Sequence, residues 1–499
     1  MNLWQKETIC PLCPYGCGLG IEMRRGFFPK INYTGPLCAR GNAIPHILFS
    51  PQRLYSPRWQ GKEISWENGL FEAKKLIRGF PSERVAIGFD GSLTREERLA
   101  VKNLGKALGI KYIAQFELEN FTSYLVEGIK IATKKDLAES EVILVIGDLF
   151  SRFPLFAHLL LDAKYNKKAK IFGFDYFPNR LSWFADEFFI CSPGKEVDLV
   201  KKGEEKVFSL FTQAKRGLLI LDAPPGKFFD PFGLHLACQI FLSRIQGERY
   251  YLPVSQRVGD KGTTASGEVW ERLKGGEVSL FLFFGEHLPV GFPFPEYSIL
   301  FIPWRINFGK EKFLLLPIPH QVEREGKILT FWGETFKNGL LPYSGTKDLR
   351  EIIGEVAKDL GDQPPAEMRG DFPRMTKKEA ERLLTMGEEM EPNGEGFYIF
   401  NDEKAIEFGG FFASGDYLKI SPEDARSLGV KEGEWLSLDS EKGANPIRLR
   451  VKIKEGLSSG WALVSLSHPE VRKLFPVSID SRIKEIILKP IRVRIWKEE

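Results

Sequence analysis

The chain has 499 residues, 43% apolar and 27% charged, with a net charge of +4. That length exceeds one hydrophobic core and calls for about two to four domains, while so weak a basic excess gives no argument for nucleic acid, and none is expected as a partner. No apolar run approaches the roughly eighteen residues of a membrane-spanning helix.

The first forty residues hold four of the six cysteines, in Cys10-Pro-Leu-Cys13-Pro-Tyr-Gly-Cys17 and Gly35-Pro-Leu-Cys38-Ala-Arg40-Gly41. Thiolates two and three residues apart on a turn-rich loop can converge on one point, and a fourth arriving from the far end of a hairpin closes the site. Four soft sulfur ligands suit a [4Fe-4S] cluster or a structural zinc. Zinc sites usually repeat the two-residue spacing in both halves, and the second half here has a lone cysteine. Ile21 to Gly26 reads as one arm of a hairpin turning at Gly26, and Asn42 to Phe49 as a short helix ending before Pro51.

From residue 58 the pattern becomes α/β. Trp66 to Gly79 has helical spacing, Arg84 to Asp90 is a short buried strand, and Gly91-Ser-Leu-Thr opens a helix running to Leu108. Glu141-Val-Ile-Leu-Val-Ile-Gly147 is a continuous apolar strand of the kind covered on both faces. A helix follows from about Pro154, then strands at Ala169–Asp175 and Phe188–Cys191. Gly217–Asp222, Ser279–Glu286 and Tyr297–Phe301 continue the series, with a glycine-rich turn at Arg257–Gly262. Gly147-Asp148 and Asp175 end strands, where an open parallel sheet receives ligands. Cys191 and Cys238 lie among apolar residues and read as core thiols. The six histidines are scattered, with no HExxH pair, and no nucleophile motif stands out, so no catalytic residue is assigned.

After residue 394 the period shifts to strands separated by turns at Lys442-Gly443 and Glu455-Gly456, which predicts a small β-barrel. Ser421-Pro422-Glu-Asp424 has the chemistry of a helix start, with a hydroxyl at N-cap and proline at N1.

The cysteine set, the Gly35–Gly41 segment and Ser50-Pro-Gln-Arg53-Leu-Tyr-Ser-Pro57 resemble the N-terminal cluster domain of the molybdopterin oxidoreductase family, which includes formate dehydrogenase catalytic subunits and the G subunit of respiratory complex I. The run to Glu323-Arg-Glu-Gly326 and the 421–433 helix-turn are similar to further family segments. The resemblance implies an α/β fold with a small [4Fe-4S] domain at 1–57 and two interleaved Rossmann-like domains, one from 58–115 and 216–365, the other 116–215 inserted in it. A linker at 366–393 and a C-terminal β-barrel at 394–499 complete it. It implies Cys10, Cys13, Cys17 and Cys38 as cluster ligands, with Arg40 as a cation between cluster and pterin. It also sets Gly147, Asp148 and Asp175, with Asp186 and Glu196 nearby, where the family carries contacts to a molybdopterin guanine dinucleotide.

The chain departs from the formate dehydrogenase pattern at 109–128. There the polar residues are Glu117, Glu119, Asn120, Thr122 and Ser123, with no cysteine–histidine pair to ligate molybdenum or tungsten. The reading that follows is an iron–sulfur electron-transfer subunit of a multi-subunit oxidoreductase, with iron–sulfur or flavin subunits as partners. The alternatives are a molybdopterin-dependent formate dehydrogenase and a zinc-stabilised structural or assembly protein. The first ten residues show neither a signal-peptide core nor a twin arginine, so the expected location is cytoplasmic, at the inner face of the membrane through partners.

Overall fold

Short apolar runs bounded by turn residues form the strands of four main sheet systems in the computed structural model. It describes residues 3–24, 30–33, 35–118, 121, 124–203, 205–255, 264–306, 312–339, 346–358, 374–387, 396–402, 404, 415–440 and 446–497. The turns expected at Gly26, at Arg257–Gly262 and at Lys442-Gly443 lie outside the described residues, as do Glu119, Asn120, Thr122 and Ser123.

The N-terminal unit is an antiparallel sheet of Leu3–Ile9, Gly18–Arg24 and Lys30–Tyr33, in that order. The single helix expected over 42–49 is two, Ala39–Asn42 and Ile44–Leu48, because Pro45 in the first turn of the second starts a fresh helix.

Next comes a seven-stranded sheet ordered Lys62–Glu63, Arg58–Trp59, Lys312–Pro317, Tyr297–Ile302, Leu280–Phe284, Val85–Phe89 and Tyr112–Gln115. Its five longest strands run parallel. Two helices on it begin as their sequences predict. Trp66–Gly79 is capped by Ser65, whose side chain accepts from Asn68 N, and Arg95–Ala107 by a reciprocal Thr94–Glu97 capping box.

The second parallel sheet is ordered Glu187–Ile190, Lys170–Asp175, Val142–Ile146, Arg216–Asp222, Glu248–Val254 and Lys130–Ile131. This corrects the expected boundary at 215/216: Arg216–Asp222 pairs with Val142–Ile146, so the inserted sheet extends through Val254. An apolar run identifies a buried strand but not the sheet it joins, and the long return connection misled the boundary. The helix Lys377–Thr385, read as part of a linker, buries Ala380, Leu383 and Leu384 in the core of this same unit.

The C-terminal unit is a closed barrel, ordered Phe397–Asn401, Trp461–Val464, Tyr417–Ile420, Ile447–Ile453, Trp435–Ser440 and Ile491–Trp496. Closure removes the exposed sheet edges. Ser421 accepts from Asp424 N and starts the helix Pro422–Ser427. Among the described residues, no helix is long and apolar enough to cross a membrane.

Candidate functional site

The Cys10–Cys17 loop joins two paired strands, with Ile9 opposite Gly18. Cys10 N donates to Cys17 O at 2.7 Å and closes it. Gly16 takes φ +67°, which favours glycine, and a Cβ there would stand 2.9 Å from Thr330 Cγ2. The loop is fastened to the hairpin of Gly326–Thr330 and Gly333–Lys337, far along the chain: Phe331 N donates to Pro14 O at 2.8 Å and Trp332 Nε1 to Tyr15 O at 3.1 Å. The Tyr15 ring meets Phe156 and Trp332 edge-on at 5.4 and 5.9 Å.

Cys10, Cys13 and Cys17 are buried and Cys38, at the N-cap of Ala39–Asn42, is half-buried; all four are free thiols. Burial pushes the thiol pKa of Cys10, Cys13 and Cys17 up, that of Cys17 to about 12. Each also feels its neighbours: Cys13, Cys17 and Cys38 act on Cys10, and Cys13 and Cys38 on Cys17. The four thiols therefore share one electrostatic neighbourhood. They are not drawn up to ligand distance, for among the described residues no three His, Cys, Asp or Glu side chains form a metal-holding group. As a donor set, four free sulfurs, three of them buried, with a cation beside them fit a group that takes soft ligands.

That cation is Arg40, almost wholly buried. It hydrogen-bonds the Cys13 thiol and works against the effect of burial there. Its Nη1 donates to Arg152 O at 2.9 Å, and its guanidinium lies 5.5 Å from the centre of the Phe153 ring.

Gly147, Asp148 and Asp175 come together at the carboxyl edge of the six-stranded sheet. Gly147 has φ +97°, and a Cβ would lie 2.1 Å from Asp222 O, so only glycine fits. Asp148 caps the short helix Leu149–Arg152, accepting from Ser151 N at 3.3 Å, and burial raises its pKa. Asp175 receives Lys227 Nζ at 2.7 Å and Asn179 Nδ2 at 2.9 Å. Asp222 pairs with Arg152 at 2.5 Å, both buried. Burial lowers the Lys227 pKa, but Asp175, Asp148 and Asp222 outweigh it, and the net direction is upward.

Asp186 and Glu196 spend their carboxylates on the fold: Asp186 accepts from Ile171 N at 2.8 Å, Glu196 from Phe229 N at 3.1 Å. Glu117 accepts from Gly91 N at 3.1 Å. Cys191 and Cys238 are buried core thiols.

Sequence reasoning missed Arg152, Lys227, Asn179 and Asp222 as members of this edge. Asp222 carried a signal, because it ends an apolar strand as Asp175 does. Arg152 and Lys227 carried none. A second buried network went unseen at the edge of the seven-stranded sheet. There Arg324, from the 323–326 run, pairs with Glu286 at 2.7 Å and Glu97 at 3.3 Å, and His320 reaches Glu286 at 3.0 Å. Burial raises the Glu286 pKa, but His320 and Arg324 overcome it and hold the carboxyl well below its usual range.

No protein-family model matches the chain. In sequence it is similar to the F420-dependent formate dehydrogenase subunit alpha of Methanocaldococcus jannaschii, 26% identical over 216 residues, which are 39% of this chain and 32% of that protein. It is also similar to NADH-quinone oxidoreductase subunit 3 of Thermus thermophilus, 28% identical over 174 residues, 32% of this chain and 22% of that protein. The matched stretches thus span a third or less of these relatives' length. In structure the chain shares its fold with acetylene hydratase from Pelobacter acetylenicus, at a TM-score of 0.69 and 12% identity, over 99% of this chain and 100% of that one.

Proposed function

We propose that this chain is an electron-transfer subunit of a multi-subunit oxidoreductase, in which Cys10, Cys13, Cys17 and Cys38 hold a [4Fe-4S] cluster. The observation that carries the reading is the gathering of four free thiols, three of them buried, in one electrostatic neighbourhood with Arg40 against Cys13. Such a cluster, when bound, takes up and releases single electrons. The chain's own residues do the rest. The cysteines give up protons that burial otherwise holds on them. Arg40 sets a fixed positive charge beside the sulfurs, and Tyr15, Phe331 and Trp332 wall off one side of the loop. The similarities to formate dehydrogenase and NADH-quinone oxidoreductase subunits support a redox role within a complex; the partners proposed are iron–sulfur or flavin subunits at the cytoplasmic face of a membrane.

The alternative of a catalytic subunit needs a molybdopterin guanine dinucleotide at Gly147, Asp148 and Asp175. The edge does not fit the phosphates of a nucleotide. Asp148, Asp175 and Asp222 surround Lys227 and Arg152, and both cations are already paired with carboxylates. The zinc alternative predicts a different metal at the same thiols.

Anaerobic purification followed by metal and sulfide analysis separates the three. The expected result is about four irons and about four acid-labile sulfides per chain, as one cubane demands, without molybdenum or tungsten. Stoichiometric molybdenum or tungsten with formate-dependent dye reduction overturns the electron-transfer reading, as does one zinc without iron.

A further inference from the structure

Arg40 does not hold its place by contacts within its own unit alone. Its Nη1 crosses to the inserted domain and donates to the backbone oxygen of Arg152 at 2.9 Å. That oxygen belongs to the last residue of Leu149–Arg152, one of the carbonyls a helix end leaves over. The Arg152 guanidinium itself pairs with Asp222 at 2.5 Å, at the end of the strand Arg216–Asp222. Phe153 ties the two arginines together: its ring lies 5.5 Å from the Arg40 guanidinium and 5.0 Å from that of Arg152. Two like charges against one ring, out of water, repel unless one is neutralised. Asp222 supplies that neutralisation and anchors the backbone that carries the Arg40 acceptor.

We infer that the Arg152–Asp222 ion pair is a positioning device that holds Arg40 against Cys13 and so sets the reduction potential of the group bound by the cysteines. The inference rests on the electron-transfer reading above. A cation near the cluster stabilises its reduced, more negative state and raises its potential. The pair would act only through Arg40, because it is itself net neutral.

The test is a redox titration of the purified protein followed by electron paramagnetic resonance, after iron and sulfide analysis of the wild type. Arg40→Gln should lower the reduced-to-oxidised ratio at fixed potential about tenfold, or about 59 mV for one electron. The double variant Arg152→Met/Asp222→Leu leaves the net charge unchanged and should reproduce at least half of that shift. Combined with Arg40→Gln it should add nothing further, and Asp222→Glu should keep the wild-type value. A wild-type potential in the double variant beside a shifted Arg40→Gln overturns the inference, as does an unshifted Arg40→Gln. Where the double variant fails to fold, Phe153→Leu reads the same coupling without a charge change, and an unmoved potential there overturns it too. Absence of iron and sulfide from the wild type is a separate result: it refutes the electron-transfer reading and removes the inference with it.

Discussion

The cysteine loop and the carboxyl edge of the six-stranded sheet are the two places where the sequence concentrates chemistry, and they are built on opposite principles. At the loop, four thiols of one kind crowd together; burial and neighbouring thiols push Cys10, Cys13 and Cys17 up, and Arg40 is the cation in hydrogen-bond contact with Cys13. At the sheet edge, Asp175 and Asp222 each have a cation of their own within 2.7 Å. Buried charges are tolerated when paired, so the edge holds its two most buried carboxylates by ion pairing, with Asp222 Oδ2 left over. The loop is a donor set whose negative forms are costly until something positive takes them. On the proposed reading, this contrast puts binding at the loop and structural work at the edge.

The largest effect should come from breaking the loop. Cys13→Ser removes one of the four sulfurs and should abolish the visible charge-transfer absorption and the paramagnetic signal of the reduced protein, leaving the circular dichroism of the α/β units in place. Full iron content in that variant would refute the ligand assignment.

Breaking the edge should instead cost stability. Lys227→Met leaves the Asp175 carboxylate buried without its cation, a change that costs about 3–5 kcal/mol. Urea denaturation should show this as a lower midpoint, with the iron content of the surviving folded protein unchanged. A loss below about 1 kcal/mol would mean that water reaches the edge, and the contrast between the two sites would collapse.

The inserted domain also carries a titratable group whose state can be read without mutation. His235 is fully buried: its Nε2–H donates to Tyr124 O at 2.7 Å, its Nδ1 accepts from Tyr251 Oη at 2.8 Å, and burial pulls its pKa down to about 4. In the unfolded chain it titrates near its ordinary value of about 6.5. Between those values the unfolded state binds more protons, so stability is complete above about 6.5 and falls as pH drops toward 4, by about 3 kcal/mol in all. His235→Gln should flatten that part of the pH–stability curve. An unchanged curve would show that the histidine is not neutral in the fold.

Much of this was legible in the residues. The helix start at Ser421, the helix Trp66–Gly79 and the apolar strands follow from local patterns whose physics is local. The cysteine spacing marked the loop. What the sequence concealed was long-range. Arg216–Asp222 looks like any other buried strand, and only its pairing with Val142–Ile146 moves the domain boundary. Likewise Lys227 and Arg152 are ordinary cations in sequence, and 52 and 70 residues separate them from the carboxylates they neutralise. Ion pairing across such separations leaves no periodic signature, so the sequence gives no sign that Asp175, read as a ligand contact, is paired with Lys227.

The smallest effect tests whether the edge is closed by shape as well as by charge. Gly147 sits at φ +97°, and a Cβ would press on Asp222 O at 2.1 Å. Both terms act against alanine: the backbone strain of a left-handed residue, and a contact with a backbone atom that cannot rotate away. Gly147→Ala should therefore cost about 1–3 kcal/mol, less than removing Lys227, because the clash can be relieved by a small shift of the strand end whereas a buried charge cannot be. That shift moves Asp222, and with it the partner of Arg152. The variant should consequently show a lower thermal midpoint together with a weakened Arg152–Asp222 coupling in a double-mutant cycle. Retention of full stability by Gly147→Ala would mean that the edge has room beside Asp222, and it would reopen the edge as a ligand site.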